Sequence, residues 1–221
     1  MPRPSHLIVI AISAAAFYLY ALASDNTLLA LLTKPLPVLA LIAWLCSAPA
    51  TPYNRWISIG LGFSVLGDII LAIPRDWFVF GLAAFFCAHL AYLHAYCRIT
   101  RRPAPVALAL CVLLTGALFG LLASHGLGPL LIPVALYALA IGAMLWRAFA
   151  CGGLTAIGAS LFVFSDSLIG IDRFVSPFDA AQFLVILAYW LGQWAIAASV
   201  HRGSSIDKVL MQSGTRREPS C

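Results

Sequence analysis

The sequence predicts an all-α fold: a bundle of about eight helices that crosses a membrane. Hydrophobic residues make up 62% of the 221 residues, charged residues make up 10%, and the mean hydropathy is +0.98. A soluble domain has about 25% charged residues, so this composition excludes an ordinary soluble protein. Apolar runs long enough to cross about 30 Å of hydrocarbon as helices recur along the chain.

Eight such runs follow one another from the N-terminus. The first, at 6–23, comes after Arg3 and ends in small residues, so it also resembles a signal peptide, although its length and the even helix count favour a retained helix. The second, at 35–50, is the shortest and begins directly after Lys34. The other six runs lie at 56–73, 77–97, 104–124, 127–149, 154–171 and 180–200.

We expect one membrane domain at residues 1–200 and a flexible cytoplasmic tail at 201–221, because no other hydrophilic segment is as long. Any chemistry must then take place in the bundle. Basic residues favour cytoplasmic loops. With the N-terminus inside, ten Lys and Arg residues fall in inside segments and three fall in outside segments. This distribution predicts that both termini lie in the cytoplasm, and we expect the membrane to be a bacterial inner membrane. The basic pairs are expected to be solvated anchors without a nucleic-acid partner.

Two aspartates, Asp68 and Asp166, lie far inside apolar runs, in the settings GFSVLGDIILAI and GASLFVFSDSLIGI. A carboxylate at membrane depth costs several kcal/mol unless it is paired, solvated or protonated, so such residues usually have a function. Each carboxyl is expected to lie between the midplane of the membrane and its outer surface. If the third and seventh helices face each other, both carboxyls reach one cavity, and they are our candidate catalytic residues.

The two aspartates also suggest an internal repeat. A shift of 98 residues places Asp68 on Asp166, Arg75 on Arg173 and Phe80 on Phe178. An offset of four helices would make the halves parallel four-plus-four repeats. In a sequence this apolar, chance matches of the same quality remain the alternative.

Further polar residues at membrane depth are candidates for substrate binding, each with an ordinary structural alternative. A membrane serine often bonds its own backbone, a terminal lysine extends to the interface, and tyrosines form interfacial belts. His89 and Tyr92 share one helix face, as do Tyr189 and Gln193. The candidates are Lys34, His89, Tyr92, Ser165, Tyr189 and Gln193.

The residue pattern disfavours several kinds of enzyme. The five histidines do not form a zinc triad, so no metal and no other cofactor is expected. The chain also lacks a G-x-S-x-G motif, phosphate-binding loops and dinucleotide fingerprints. Two carboxyls in one low-dielectric pocket do not easily both ionise, which provides an acid and a base. Such a pair suits bonds whose hydrolysis begins with protonation to an oxocarbenium ion, such as acetals and enol ethers.

Five segments resemble the YhhN-like lysoplasmalogenase family in order and spacing. They are LTKPLPVLAL, LGFSVLGDIILAI, FVFGLAAFFCAHLAYL, GASLFVFSDSLIGIDRF and ILAYWLGQWAIAAS, and together they span about residues 30–200. The resemblance implies a membrane hydrolase that cleaves the vinyl ether bond of lysoplasmalogens, giving a fatty aldehyde and a glycerophospho-base. The chain departs from the family pattern at Trp190, where a tyrosine is common.

The resulting hypothesis is acid/base hydrolysis by two aspartates on a lysophospholipid taken from the surrounding membrane lipids. One aspartate protonates the enol ether and the other stabilises the cation and activates water. Lys34, with Tyr92 or Tyr189, would hold the phosphate, and Gln193 and Ser165 would orient the carboxyls. The alternative from another class is a transporter of a small lipid or cation that uses the aspartates as a proton or ion relay. Short loops disfavour that alternative.

Overall fold

The computed structural model describes residues 4–73 and 76–214 and is helical throughout its regular structure. The helices are α1 (Pro4–Ala23), α2 (Thr27–Thr33), α3 (Leu36–Leu45), α4 (Pro52–Ala72), α5 (Phe78–Ile99), α6 (Pro105–Ser124), α7 (Leu131–Cys151), α8 (Gly153–Phe174) and α9 (Ala181–Gly214), with one 3-10 turn at Gly128–Leu130. Eight of the resulting helical segments in the described part are long and apolar enough to cross a membrane. The predicted all-α multi-pass fold is therefore confirmed.

The second span differs from the sequence prediction. It begins at Thr27, not at 35, and comprises α2 and α3, which together run from Thr27 to Leu45. The two helices are separated at Lys34 and Pro35 because Pro35 and Pro37 have no N–H group to donate to the preceding turn. Lys34 is consequently inside the span, and the expected helix start directly after Lys34, which would have put this lysine at the outer end of the helix, is wrong.

Two helix pairs, α4 with α5 and α8 with α9, make the closest contacts in the bundle. The α8–α9 crossing brings backbone against backbone: a Cβ atom at Gly158 would lie 2.7 Å from the Gly192 carbonyl oxygen. At the α4–α5 crossing, a Cβ atom at Gly60 would lie 2.2 Å from the Tyr92 ring. Gly60 and Gly158 are 98 residues apart, the offset of the proposed repeat, and the repeat remains a prediction.

Helices α1 and α6 lie at the periphery. Ile8, Val9 and Ile12 on α1 and Leu113 on α6 expose 59–69% of their surface. Large apolar side chains facing outward are expected for helices in contact with lipid. The buried core instead contains Asp68, His89 and Gln193 together with the rings of Tyr92, Tyr96 and Phe162. Polar residues are thus concentrated in the interior, where a binding site is to be sought.

Helix α9 continues through residues 201–214, and residues 215–221 lie outside the described part. The predicted boundary between a bundle at 1–200 and a tail at 201–221 stays a prediction. Arg75, one of the residues matched in the proposed repeat, also lies outside the described residues.

Candidate active site

A cavity of about 570 Å³ opens between α1, α2, α4, α5, α8 and α9. Asp68 and Asp166, which come from α4 and α8, both line it. Among the other candidates from the sequence, Lys34, Ser165 and Tyr189 also line this cavity. The fold therefore brings five of the eight candidates to one space, although they are spread over more than 150 positions of the chain.

Asp68 lies in the last turns of α4, and only 1% of its surface is exposed. The hydroxyl of Tyr189 donates a hydrogen bond to its Oδ2 atom over 2.7 Å. The ammonium group of Lys34 interacts with Asp68 electrostatically across the cavity. A carboxyl group buried at this depth requires such partners, because an isolated charge in a low-dielectric interior costs several kcal/mol.

Asp166 is more open to the cavity, with 13% of its side chain exposed. Its Oδ2 atom accepts a hydrogen bond from the Tyr137 hydroxyl at 2.5 Å and lies 3.3 Å from His89 Nε2. The same His89 nitrogen lies 2.9 Å from the Tyr137 oxygen. The three groups therefore form a closed triangle that fixes one oxygen of Asp166, while the other oxygen is not engaged by a described side chain.

His89 is a partner of Asp166 and does not line the cavity itself. Its ring is completely buried, and its Nδ1 atom has no hydrogen-bond partner among the described residues. A neutral imidazole with the proton on Nε2 satisfies this geometry, because Nε2–H then donates to Asp166 or to Tyr137. His89 therefore holds the Asp166 carboxyl group in place without lining the cavity.

Tyr92 and Gln193 lie outside the cavity, farther inside the bundle. The Tyr92 hydroxyl donates to Gln193 Oε1 over 2.8 Å, and both side chains are fully buried. Ser165 lines the cavity but donates to the backbone oxygen of Val185 over 2.9 Å. Neither Gln193 nor Ser165 has a hydrogen bond to an aspartate in the described structure, in contrast to the orienting role expected from the sequence.

One aromatic ring connects these groups. Phe162 of α8 packs edge-on against the rings of His89 and Tyr189 at centroid distances of 4.8 and 5.4 Å. It also contacts Phe85 and Tyr92. Edge-to-face packing favours one relative orientation of two rings, so contact with Phe162 restricts the positions of both the His89 ring and the Tyr189 phenol. His89 and Tyr189, which contact Asp166 and Asp68, therefore pack against the same side chain.

Sequence reasoning missed Tyr137 and the charged rim of the cavity. Tyr137 is the single polar side chain in the apolar run LIPVALYALAIG, and its place in the second turn of α7, inside the predicted span, was the available signal. The rim contains Asp25, Asp172 and Arg173, of which Arg173 also forms an ion pair with Asp76 at 2.9 Å. The rim residues belong to loops or helix ends, where charged residues are common and a function is not apparent from sequence.

Comparison with known proteins agrees with this architecture. The family model described as "YhhN family" matches residues 29–200. The human protein "Lysoplasmalogenase TMEM86B" is 36% identical over 174 residues, which cover 78% of this chain and 76% of that protein. "Lysoplasmalogenase" of Mycobacterium tuberculosis is 35% identical over 69% of this chain and 63% of that protein. "Lysoplasmalogenase TMEM86A" of Bos taurus is 30% identical over 83% of this chain and 82% of that protein. No solved structure gives a significant match.

Proposed function

The chain belongs to the YhhN family, and we propose that it is a membrane hydrolase that cleaves the vinyl ether bond of lysoplasmalogens. The observation that carries the proposal is the cavity shared by Asp68 and Asp166, two intramembrane carboxyls from different helices. Three relatives carry the name lysoplasmalogenase, which supports the same reaction. The products are a fatty aldehyde and a glycerophospho-base, either glycerophosphoethanolamine or glycerophosphocholine.

The proposed chemistry begins with proton transfer to carbon. One aspartate, in its acid form, gives its proton to the alkene carbon that is remote from the ether oxygen, and the C=C electron pair forms the new C–H bond. The resulting oxocarbenium ion is stabilised by the second, ionised carboxylate, which then takes a proton from the attacking water. The hemiacetal then collapses: the second carboxyl returns its proton to the leaving glycerol oxygen, the hemiacetal hydroxyl gives its proton to the first carboxylate, and the aldehyde is left with both aspartates in their starting states.

The hydrogen-bond partners of the two aspartates are compatible with one carboxyl acting as the acid and the other as the base. Tyr189 fixes one oxygen of Asp68, and Tyr137 and His89 fix one oxygen of Asp166. Each carboxyl therefore keeps one oxygen for the substrate or for water. Lys34 has no hydrogen bond to a described side chain and lines the same cavity, so its ammonium group is available to a phosphate.

The transporter alternative requires access from both sides of the membrane. A second open groove, at the opposite end of the bundle, is lined by Asn54, Arg55 and Arg98 among others and shares no described lining residue with the cavity. On α4, the fully buried Leu61 and Ser64 lie between Ile59, which lines the groove, and Asp68, which lines the cavity. This closed interior favours hydrolysis over ion or lipid passage.

The membrane orientation is also a proposal. The cavity is lined by Asp25 after α1, by Ala72 at the end of α4 and by Arg173 near the end of α8. The excess of basic residues near the other ends of these helices favours the outside of a bacterial inner membrane for these positions. A reporter fused after residue 205 should therefore be active on the cytoplasmic side. Activity confined to the outer side would overturn the orientation.

The function is tested with purified protein and three matched lysolipids that carry a 1-alkenyl, 1-acyl or 1-alkyl chain. We expect aldehyde release from the alkenyl lipid alone, because an ester or alkyl ether has no electron-rich alkene carbon to protonate. Asp68→Asn and Asp166→Asn should each lower the rate by about 10²- to 10⁴-fold while the melting temperature stays near that of the wild type. Comparable cleavage of the acyl lipid, or more than about a tenth of the activity in either variant, would contradict the mechanism.

A further inference from the structure

A narrow apolar slot adjoins the cavity on the side of α6 and α7. It has a volume of about 80 Å³, and its wall is formed by hydrocarbon side chains, among them Leu118 and Phe119 of α6 and Val134 and Ala138 of α7. Two aliphatic hydroxyl side chains, Thr115 and Ser167, also line the slot, but both are engaged by their own helices. Thr115 donates to the Cys111 carbonyl and Ser167 donates to the Val163 carbonyl, each over 2.7 Å.

The slot meets the cavity at Asp166. This residue lines both spaces, as do the apolar side chains of Leu71, Phe78, Phe85 and Ile169. Tyr137, whose hydroxyl donates to Asp166, also lines the slot. One carboxyl group therefore marks the boundary between a charged cavity and an apolar one.

A single-chain vinyl ether lipid has the same order of groups along its length. Its phosphate and glycerol are polar, its hydrocarbon chain is apolar, and the ether oxygen and two alkene carbons lie between them. We propose that the slot between α5, α6, α7 and α8 binds the carbons of the hydrocarbon chain that directly follow the alkene, as much of the chain as about 80 Å³ can hold, and thereby places the alkene at Asp166. This proposal rests on the proposed function and adds the place of the substrate chain.

The slot is expected to act through position more than through affinity. A lipid chain that moves from the bilayer into the slot exchanges one apolar environment for another, so little hydrophobic free energy is gained. Placement is decisive, because an error of about 1 Å between reacting atoms can cost about 100-fold in rate. A blocked slot should therefore lower turnover of long-chain substrates by displacing the alkene from Asp166.

Photolabelling tests the location without hydrolysis. The probe is a lysolipid with an uncleavable 1-alkyl ether chain that carries a diazirine a few carbons from the ether oxygen, added to the purified protein and mapped by mass spectrometry. We expect labels on α6 and α7 around Leu118 and Ala138, and an excess of unlabelled lysolipid should suppress them. Labels confined to other helices, or labels that an excess of lysolipid does not suppress, would overturn the slot assignment.

Substitution tests the effect on selectivity. Ala138→Phe fills the slot, and Leu139→Phe is its matched control on the neighbouring position, whose side chain is 71% exposed toward lipid. We expect the ratio of kcat/KM for a hexadecenyl substrate to that for a butenyl substrate to fall about tenfold or more in Ala138→Phe. The ratio should stay within about twofold of the wild type in Leu139→Phe. An unchanged ratio in folded Ala138→Phe, or an equal change in the control, would overturn the proposal.

These outcomes are separable from those that test the function. A wild-type protein that releases no aldehyde from any alkenyl lysolipid would refute the proposed reaction, while the photolabel would still report the chain site. Conversely, normal hydrolysis with labels outside α6 and α7 would retain the reaction and overturn the slot.

Discussion

Removal of the Tyr137 hydroxyl should lower the rate of hydrolysis without unfolding the bundle. The substitution Tyr137→Phe keeps the ring, which packs against His89 at a centroid distance of 5.1 Å, and deletes the hydroxyl that donates to Asp166 over 2.5 Å. Asp166 then keeps His89 as its single described support. The carboxyl gains rotational freedom, and the oxygen that faces substrate is no longer held in place.

The size of the effect follows from the strength of this hydrogen bond. A hydrogen bond to a charged group contributes about 1.5–3 kcal/mol. Each 1.36 kcal/mol in the activation free energy corresponds to about a factor of ten in rate. If most of this contribution is expressed in the transition state, kcat should fall about 10- to 100-fold, and KM should change little because the apolar ring surface that lines the slot is unchanged.

The assay is aldehyde release from an alkenyl lysolipid in detergent, with kcat and KM measured separately. Tyr53→Phe is the matched control, because it removes a hydroxyl that pairs with Ser199 Oγ at 2.7 Å, away from both aspartates. The control should retain kcat, and melting temperatures of both variants should remain close to the wild type. A fall in kcat of less than about threefold in Tyr137→Phe, or an equal fall in Tyr53→Phe, would refute the assigned role of Tyr137.

Three further predictions concern packing, charge and substrate size. Gly158→Ala should greatly reduce the yield of folded protein in size-exclusion chromatography, because its Cβ atom would lie 2.7 Å from a backbone oxygen. The control Gly62→Ala, whose Cβ atom would have no neighbour within 4 Å, should behave as wild type. Equal yields of the two variants would contradict the close α8–α9 crossing. Lys34→Met should raise KM for the phospholipid about tenfold or more and leave KM for 1-alkenyl glycerol, which has no phosphate, unchanged, while loss of the charge beside Asp68 lowers kcat for both substrates alike; an equal rise in both KM values would count against a phosphate contact. Single-chain lysolipids should react much faster than two-chain plasmalogens, and equal turnover would argue against a site for one chain.

The two aspartates were predictable from sequence because a charge within an apolar run is costly, and the cost draws attention to the residue whatever its partners are. Their similar depth was also predictable, but a shared cavity was expected only if the third and seventh helices face each other. The partners were harder to identify. A tyrosine such as Tyr137 costs little in a membrane helix, so its presence alone does not indicate whether its hydroxyl serves a carboxyl or the interface.

The depth of Lys34 was misjudged for a local reason. Pro35 and Pro37 suggest a helix start, and Pro is in fact common in the first turn of a helix. The short helix α2 precedes them in the same span, with Asn26 as its N-cap, so the lysine lies within the bundle. The proline signal identified a break inside one membrane span, which periodicity cannot distinguish from a boundary between loop and helix.

Long-range pairing is the other part that sequence did not provide. His89 and Asp166 are 77 positions apart, and Tyr189 and Asp68 are 121 positions apart. Each aspartate is held by a residue from the other half of the chain: α8 is supported by α5, and α4 by α9. Spacing along one helix predicts which residues share a face, but it contains no information on which helix lies opposite.

The central claim, proton transfer from a positioned carboxyl to the alkene carbon, is tested most directly by the stereochemistry of hydrolysis in deuterium oxide. The aldehyde is reduced immediately to the alcohol, and authentic unlabelled aldehyde treated in the same way controls for exchange with solvent. A donor fixed by the protein delivers deuterium to one face of the alkene. The account therefore predicts one deuterium at the former α-carbon, in a single enantiomer, together with a slower reaction than in ordinary water. A product with equal amounts of both enantiomers, or one free of deuterium, would contradict it.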